Sequence, residues 1–181
     1  MNTDHRYQPL LIGMHWLTLA LLIAVYALIE LRGLYPKGSD AHDMMKQWHF
    51  MLGLAVFGLV VIRLPLRLAL HAPPITPQPP AWQQRIAVAM HWALYALLIA
   101  LPLLGWLTLS AKGRPVPFFG LQLPALIGPD KALGRSLENI HEVVGALGYW
   151  LIGVHACAAL LHHYVVRDDT LRRMWPARVA S

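Results

Sequence analysis

Ten histidines stand in this chain of 181 residues, and five of them, His15, His49, His91, His141 and His155, lie inside long apolar runs. Imidazole in such surroundings is rare and marks a cofactor or a proton route. His141 and His155 are fourteen residues apart. On one helix that spacing is close to four turns, so both rings leave the same face about 21 Å apart along the axis. If successive runs cross antiparallel, His49 lies at the depth of His141, and His15 at the depth of His155. Two facing imidazoles per layer are the ligand set of a six-coordinate b-type haem. Zinc would need a third or fourth ligand, and only Glu142 and His42 are near the His49 layer. The chemistry predicted from the histidines is one-electron transfer through two haem b groups.

Around these positions the sequence supplies further candidates. Met90-His91-Trp92 repeats Met14-His15-Trp16, so His91 competes with His15 for a place opposite His155, and spacing does not choose between them. The histidine left over is close enough to bond a haem propionate or a quinone carbonyl, and His162, seven residues beyond His155, is a candidate for the same work. Gly53 and Gly145 each follow an expected ligand by one helical turn, where a side chain would strike a porphyrin face. Gly148 and Gly153 thin the same helix further. Arg63 and Arg67, four apart, share a helix face on which they can meet cofactor carboxylates or lipid phosphates.

The elements that position these groups are read from composition. Hydrophobic residues make up 57% of the chain and charged residues 13%, with a mean hydropathy of +0.48. Four runs, near 10–31, 48–70, 86–110 and 137–166, each exceed the roughly 20 residues that cross a hydrocarbon core. The predicted fold is all-α, one domain over 1–181, an integral membrane four-helix bundle with two haems between the helices. The first run is too long for a signal-peptide core and has no small-residue cleavage site after it, so it is expected to remain in the mature protein. Cys157 is the one cysteine, which excludes an internal disulfide and a Cys-x-x-Cys-His attachment, so the haem is expected to be non-covalent. Pro102 is expected to kink the third helix, and Pro73 to Pro80 to form a stiff extended connection.

A net charge of +6 does not indicate nucleic acid, because Lys and Arg sit in short loops beside apolar runs, as they do next to membranes. An even number of spans puts both termini at one end, called inner here. The inner segments carry eight Lys and Arg (Arg6, Arg63, Arg67, Arg85, Arg167, Arg172, Arg173 and Arg178), and the outer loops carry seven. The small excess favours cytoplasmic termini. Seven cations at the outer end nevertheless make a positive mouth that draws in a small anion, with Lys112, Arg114, Lys131 and Arg135 as the expected steering residues. The alternative from another class is a histidine-lined metal or proton carrier without redox chemistry, which a visible spectrum would separate from a cytochrome.

GMHW at 13–16, WHFMLG at 48–53 and HEVVGALGYWLIGVHACAALLHHY at 141–164 resemble the bacterial cytochrome b561 family, most closely its superoxide oxidase members, over essentially the whole chain. The paired histidines of the last run also resemble the cytochrome b subunits of nickel-iron hydrogenase and formate dehydrogenase. The resemblance implies that His15 and His155 hold an inner haem b and His49 and His141 an outer one. It further implies a bacterial inner-membrane protein in which superoxide gives electrons at the periplasmic face and ubiquinone accepts them within the membrane. The related alternative is a haem-carrying anchor that passes electrons from a soluble redox partner, a dehydrogenase or hydrogenase, to quinone.

Overall fold

The computed structural model describes residues 6–176; Arg178, counted above among the inner charges, lies outside them. Four helices form the bundle: α1 (Pro9–Leu31), α2 (Asp40–Ala69), α3 (Ala81–Ala111) and α4 (Lys131–Leu161). All four are long and apolar enough to cross a membrane. α2, α3 and α4 begin before the apolar runs do, and α2 and α4 start at side-chain caps. The Ser39 hydroxyl accepts from the His42 amide at 3.4 Å, with Asp40 and Asp43 in the first turn, where acidic groups favour the helix dipole. The Asp130 carboxylate accepts from the amides of Ala132 and Leu133 at 2.9 and 3.0 Å. Residues 40–47 and 131–136, outside the apolar runs read from the sequence, are therefore helical. α3 continues through Pro102 and α2 through Pro65.

Val56 and Val60 of α2 pack on Tyr95 and Leu98 of α3, with Leu21 and Leu22 of α1 closing over them. A second cluster, nearer the outer end, joins Leu54 and Leu109 to Val116. Val116 belongs to a feature not expected from the sequence, an antiparallel hairpin of β1 (Val116–Phe118) and β2 (Leu121–Leu123) in the long outer loop. Its turn, Phe119-Gly120, has φ of 45° and 86°, the positive values that two-residue hairpin turns need.

Large apolar side chains face outward, among them Trp150 at 77% and Ile62 at 60% exposure. That is the pattern of a bundle whose solvent is lipid. α4 is the extreme case: of its 31 residues only Gly134 and Gly148 are buried. Gly148 is needed for packing, since a Cβ there would collide with the Tyr26 hydroxyl of α1. The inner end is closed by the chain that follows α4. A π-helical turn, His162–Val166, and Arg167 at φ 61° reverse its direction. The Trp16 indole then donates to the Met174 carbonyl at 2.7 Å, Asp169 pairs with the backbone of Thr76, and the Arg173 guanidinium donates to the Pro73 carbonyl.

Candidate functional site

The tertiary structure brings the histidines together in two layers. His49 of α2 and His141 of α4 stand with ring centres 6.2 Å apart and planes at 79°. His15 of α1 and His155 of α4 stand 6.4 Å apart with planes at 68°. A metal between two imidazoles sets their ring centres about 6.2 Å apart, because each bond is about 2 Å long and the nitrogen lies about 1.1 Å from its ring centre. Both pairs meet that requirement. His91 lies only 5.4 Å from His155, closer than a metal held between them would allow, and it is exposed while the other four are partly buried.

The second ring nitrogens carry more information. His49 donates from Nδ1 to the Val25 carbonyl of α1 at 2.9 Å. A carbonyl only accepts, so the ring proton is on Nδ1 and Nε2 is left as the free lone pair, the arrangement that orients metal-binding histidines. His91 is fixed in the same tautomer by the Ala87 carbonyl one turn back on its own helix, at 2.6 Å. His141 Nδ1 is buried without a hydrogen bond among the described residues. Its ring enters the bundle against Gly105 of α3, where a Cβ would come within 3.4 Å of Cε1. Gly105 was not singled out from the sequence, because no local pattern ties it to a histidine 36 positions away.

Around His49 and His141 the bundle leaves a cavity of about 400 Å³. Gly53 and Gly145 form part of its wall, and a Cβ on either meets nothing within 4 Å. The glycines thus face open space rather than a neighbouring helix. Space of this size is costly to leave empty in a packed interior. A flat group bonded to both imidazoles accounts for the spacing, the bare glycines and the empty volume together.

Arg32, Lys46, Lys112 and Arg114 also line this cavity, with Glu30, Glu138 and Glu142. Lys112 and Arg114 were expected here. Lys131 and Arg135, the other two residues proposed for steering, do not line it; both are exposed on the first turns of α4, where Arg135 donates to the Lys131 carbonyl. Lys131, ten residues before His141, stands about 15 Å from it along the axis, and Arg135, six residues before it, is about 120° round the helix from it. Arg32 and Lys46 were missed. Lys46 could have been found, since a helix begun at the Ser39 cap puts it one turn before His49.

In the inner layer, the Arg63 guanidinium lies 3.3 Å from His15 Nδ1 and 5.8 Å from the Tyr95 ring centre, and its Nε is buried with no partner. A guanidinium can only donate. If His15 Nε2 held a metal, Nδ1 would carry the proton and offer Arg63 no acceptor. Arg63 would then need an anion, as a buried cation does, and a haem carboxylate would be such an anion. Arg67 instead rests 5.3 Å over the Tyr7 ring, which Arg173 covers at 5.5 Å. His162 Nδ1 is 2.5 Å from Asp168 Oδ2. Burial by itself would raise the Asp168 carboxyl, but the bonds from His162 and Thr170 outweigh it and hold the group below the usual carboxylate range.

The family profile described as prokaryotic cytochrome b561 matches residues 6–177. The chain belongs to the prokaryotic cytochrome b561 family. It is 40% identical over 174 residues to cytochrome b561 homolog 1 of Escherichia coli (strain K12), covering 96% of this chain and 99% of that one. It is 39% identical over 173 residues to probable superoxide oxidase CybB of Yersinia pestis, covering 96% and 97%. It is 28% identical over 189 residues to cytochrome b562 of Cereibacter sphaeroides, covering 98% and 100%. The cytochrome is thus a multi-pass membrane protein of electron transport, and the family implies b-type haem, which the histidine geometry fits.

Proposed function

We propose that this cytochrome holds two haem b groups and moves electrons from superoxide at the outer mouth to ubiquinone at the inner layer. His49 and His141 would hold the outer haem, and His15 and His155 the inner one. When bound, haem supplies a one-electron carrier whose potential the protein tunes through ligand, burial and hydrogen bonds. The observation that carries the reading is the pair of His–His separations, 6.2 and 6.4 Å, both anchored on α4. The two histidine layers are about 21 Å apart along α4.

The rest of the chain has defined tasks. Arg32, Lys46, Lys112 and Arg114 draw a small anion toward the outer cavity. The name of the Yersinia pestis relative supports superoxide as that anion. Arg63 binds a carboxylate of the inner haem. His91 and the His162–Asp168 pair lie at the inner end, where quinone reduction needs hydrogen-bond donors and protons. The balance is two superoxide, one ubiquinone and two protons giving two dioxygen and one ubiquinol. Cytoplasmic termini, in a bacterial inner membrane, put the outer mouth in the periplasm.

The test is superoxide-driven ubiquinone reduction by the purified haem-loaded chain alone, without a soluble dehydrogenase. Quinol should form at the expense of superoxide, and the rate should fall with added salt because exposed charges steer the encounter. A chain that carries two haems yet needs a protein partner for any quinone reduction would instead be an electron-passing anchor.

A further inference from the structure

The four cations of the outer cavity are not equivalent. Lys112 ends α3 and reaches across the start of α4, where its ammonium lies 2.5 Å from Glu138 Oε2. The crossing depends on Gly134, since a Cβ there would lie 2.9 Å from Lys112 Cγ and 3.4 Å from the Ala111 carbonyl carbon. The Asp130 amide donates to the Ala111 carbonyl at 2.8 Å and holds the two helix ends together. Glu138 is on the α4 face that carries His141, three residues away, and both Lys112 and Glu138 line the cavity. No salt bridge is formed by Arg32, Lys46 or Arg114 among the described residues.

We propose that Glu138 is a built-in counter-charge that withholds Lys112 from anions and so limits their capture at the outer mouth. This rests on the reading of superoxide as the anion that enters there. A carboxylate paired to a lysine at the rim competes with an incoming anion for the same ammonium and repels it. The ion pair is partly exposed, with side-chain exposures of 22% for Lys112 and 39% for Glu138, so it exchanges with solvent and can be opened by an anion. The proposal gives Glu138 a positioning role through Lys112; it does not touch the reacting atoms. At a separation of about 7 Å, removing one negative charge changes an anion's interaction enough to alter its capture roughly threefold in a water-like dielectric.

The experiment follows superoxide-dependent haem reduction by stopped-flow absorbance in the haem-loaded full chain. Wild type, Glu138→Gln and the double variant Lys112→Gln/Glu138→Gln are compared from low salt to about 1 M salt, where the Debye length falls to about 3 Å. Glu138→Gln should react about threefold faster than wild type at low salt and merge with it at high salt. The double variant should lose that gain, because the freed ammonium is gone. The oxidised and reduced haem spectra and the haem content of each variant report whether the fold and the cofactor sites are intact. An intact Glu138→Gln protein that reacts no faster than wild type, or a gain that persists at high salt or in the double variant, overturns the role of Glu138. If wild type itself shows no reduction by superoxide, the reading of the donor fails, which is a different result from a reactive wild type matched by its variant.

Discussion

Gly145 of α4 separates a cofactor cradle from ordinary helix packing. A Cβ built on Gly145 meets nothing within 4 Å, and the position lines the outer cavity next to His141 and Gly53. Without a cofactor, leucine there should be tolerated or favoured. Glycine in a helix interior is worse than alanine by about 1 kcal/mol, and the side-chain hydrogen bond made to Gly145, from the Tyr26 hydroxyl at 3.0 Å, uses the backbone carbonyl. With a haem between His49 and His141, the same leucine strikes the ring, and the outer group should be lost while the inner one stays. Gly148→Ala, three residues on, gives the opposite pattern. It displaces the Tyr26 hydroxyl, for which overpacking costs about 1–3 kcal/mol, but leaves both histidine pairs unchanged. The assays are haem per chain by pyridine haemochrome, helix content by circular dichroism, and thermal unfolding in detergent. Gly145→Leu should fall from two haems to one with its helix content preserved, and Gly148→Ala should keep two haems and melt earlier. Retention of both haems by Gly145→Leu would refute the cradle, and so would a loss of helix content without a change in haem per chain.

Other perturbations probe the remaining groups. His15→Ala should leave one haem per chain and His91→Ala two; the reverse would make His91 the ligand opposite His155 despite its 5.4 Å spacing. Arg63→Gln should release the inner haem to a scavenging apo-globin roughly 10–100 times faster, corresponding to a charge-assisted hydrogen bond of about 1.5–3 kcal/mol; an unchanged release rate would remove the carboxylate contact. Asp168→Asn should loosen the segment after α4, seen as faster amide exchange at residues 168–174, by about 1–3 kcal/mol of local opening. The Asp168 carboxyl is lowered in the folded protein, so its contribution is present above the unfolded value of about 3.9 and is lost as pH falls through the lower folded value. Acid should therefore open that segment in wild type, and the Asn variant should lose this step.

Apolar length and histidine spacing make the architecture legible in the sequence itself. Hydrophobic runs longer than a bilayer thickness admit little besides helices, and the fourteen-residue interval between His141 and His155 is a property of one helix. The glycines at 53 and 145 were legible for the same reason, as they lie one turn from histidines on their own helices. The helix starts were less so, because the Ser39 and Asp130 caps act through backbone amides outside the apolar runs and so extend α2 and α4 into what reads as loop.

What lay between helices was decided by the fold. Spacing left His15 and His91 as rivals, with the family resemblance favouring His15, and the packing of α1, α3 and α4 sets them at 6.4 Å and 5.4 Å from His155. Likewise four basic loop residues looked interchangeable, yet Lys131 and Arg135 stand outside the cavity while Arg32 and Lys46 arrive from the end of α1 and from α2. Periodicity along one chain fixes which residues share a helix face, so the sequence determined a membrane bundle with two histidines on one helix. Distances across helices depend on interdigitated side chains and caps remote in sequence, so only the tertiary structure decided how far apart the facing histidines stand and which cations meet at the mouth.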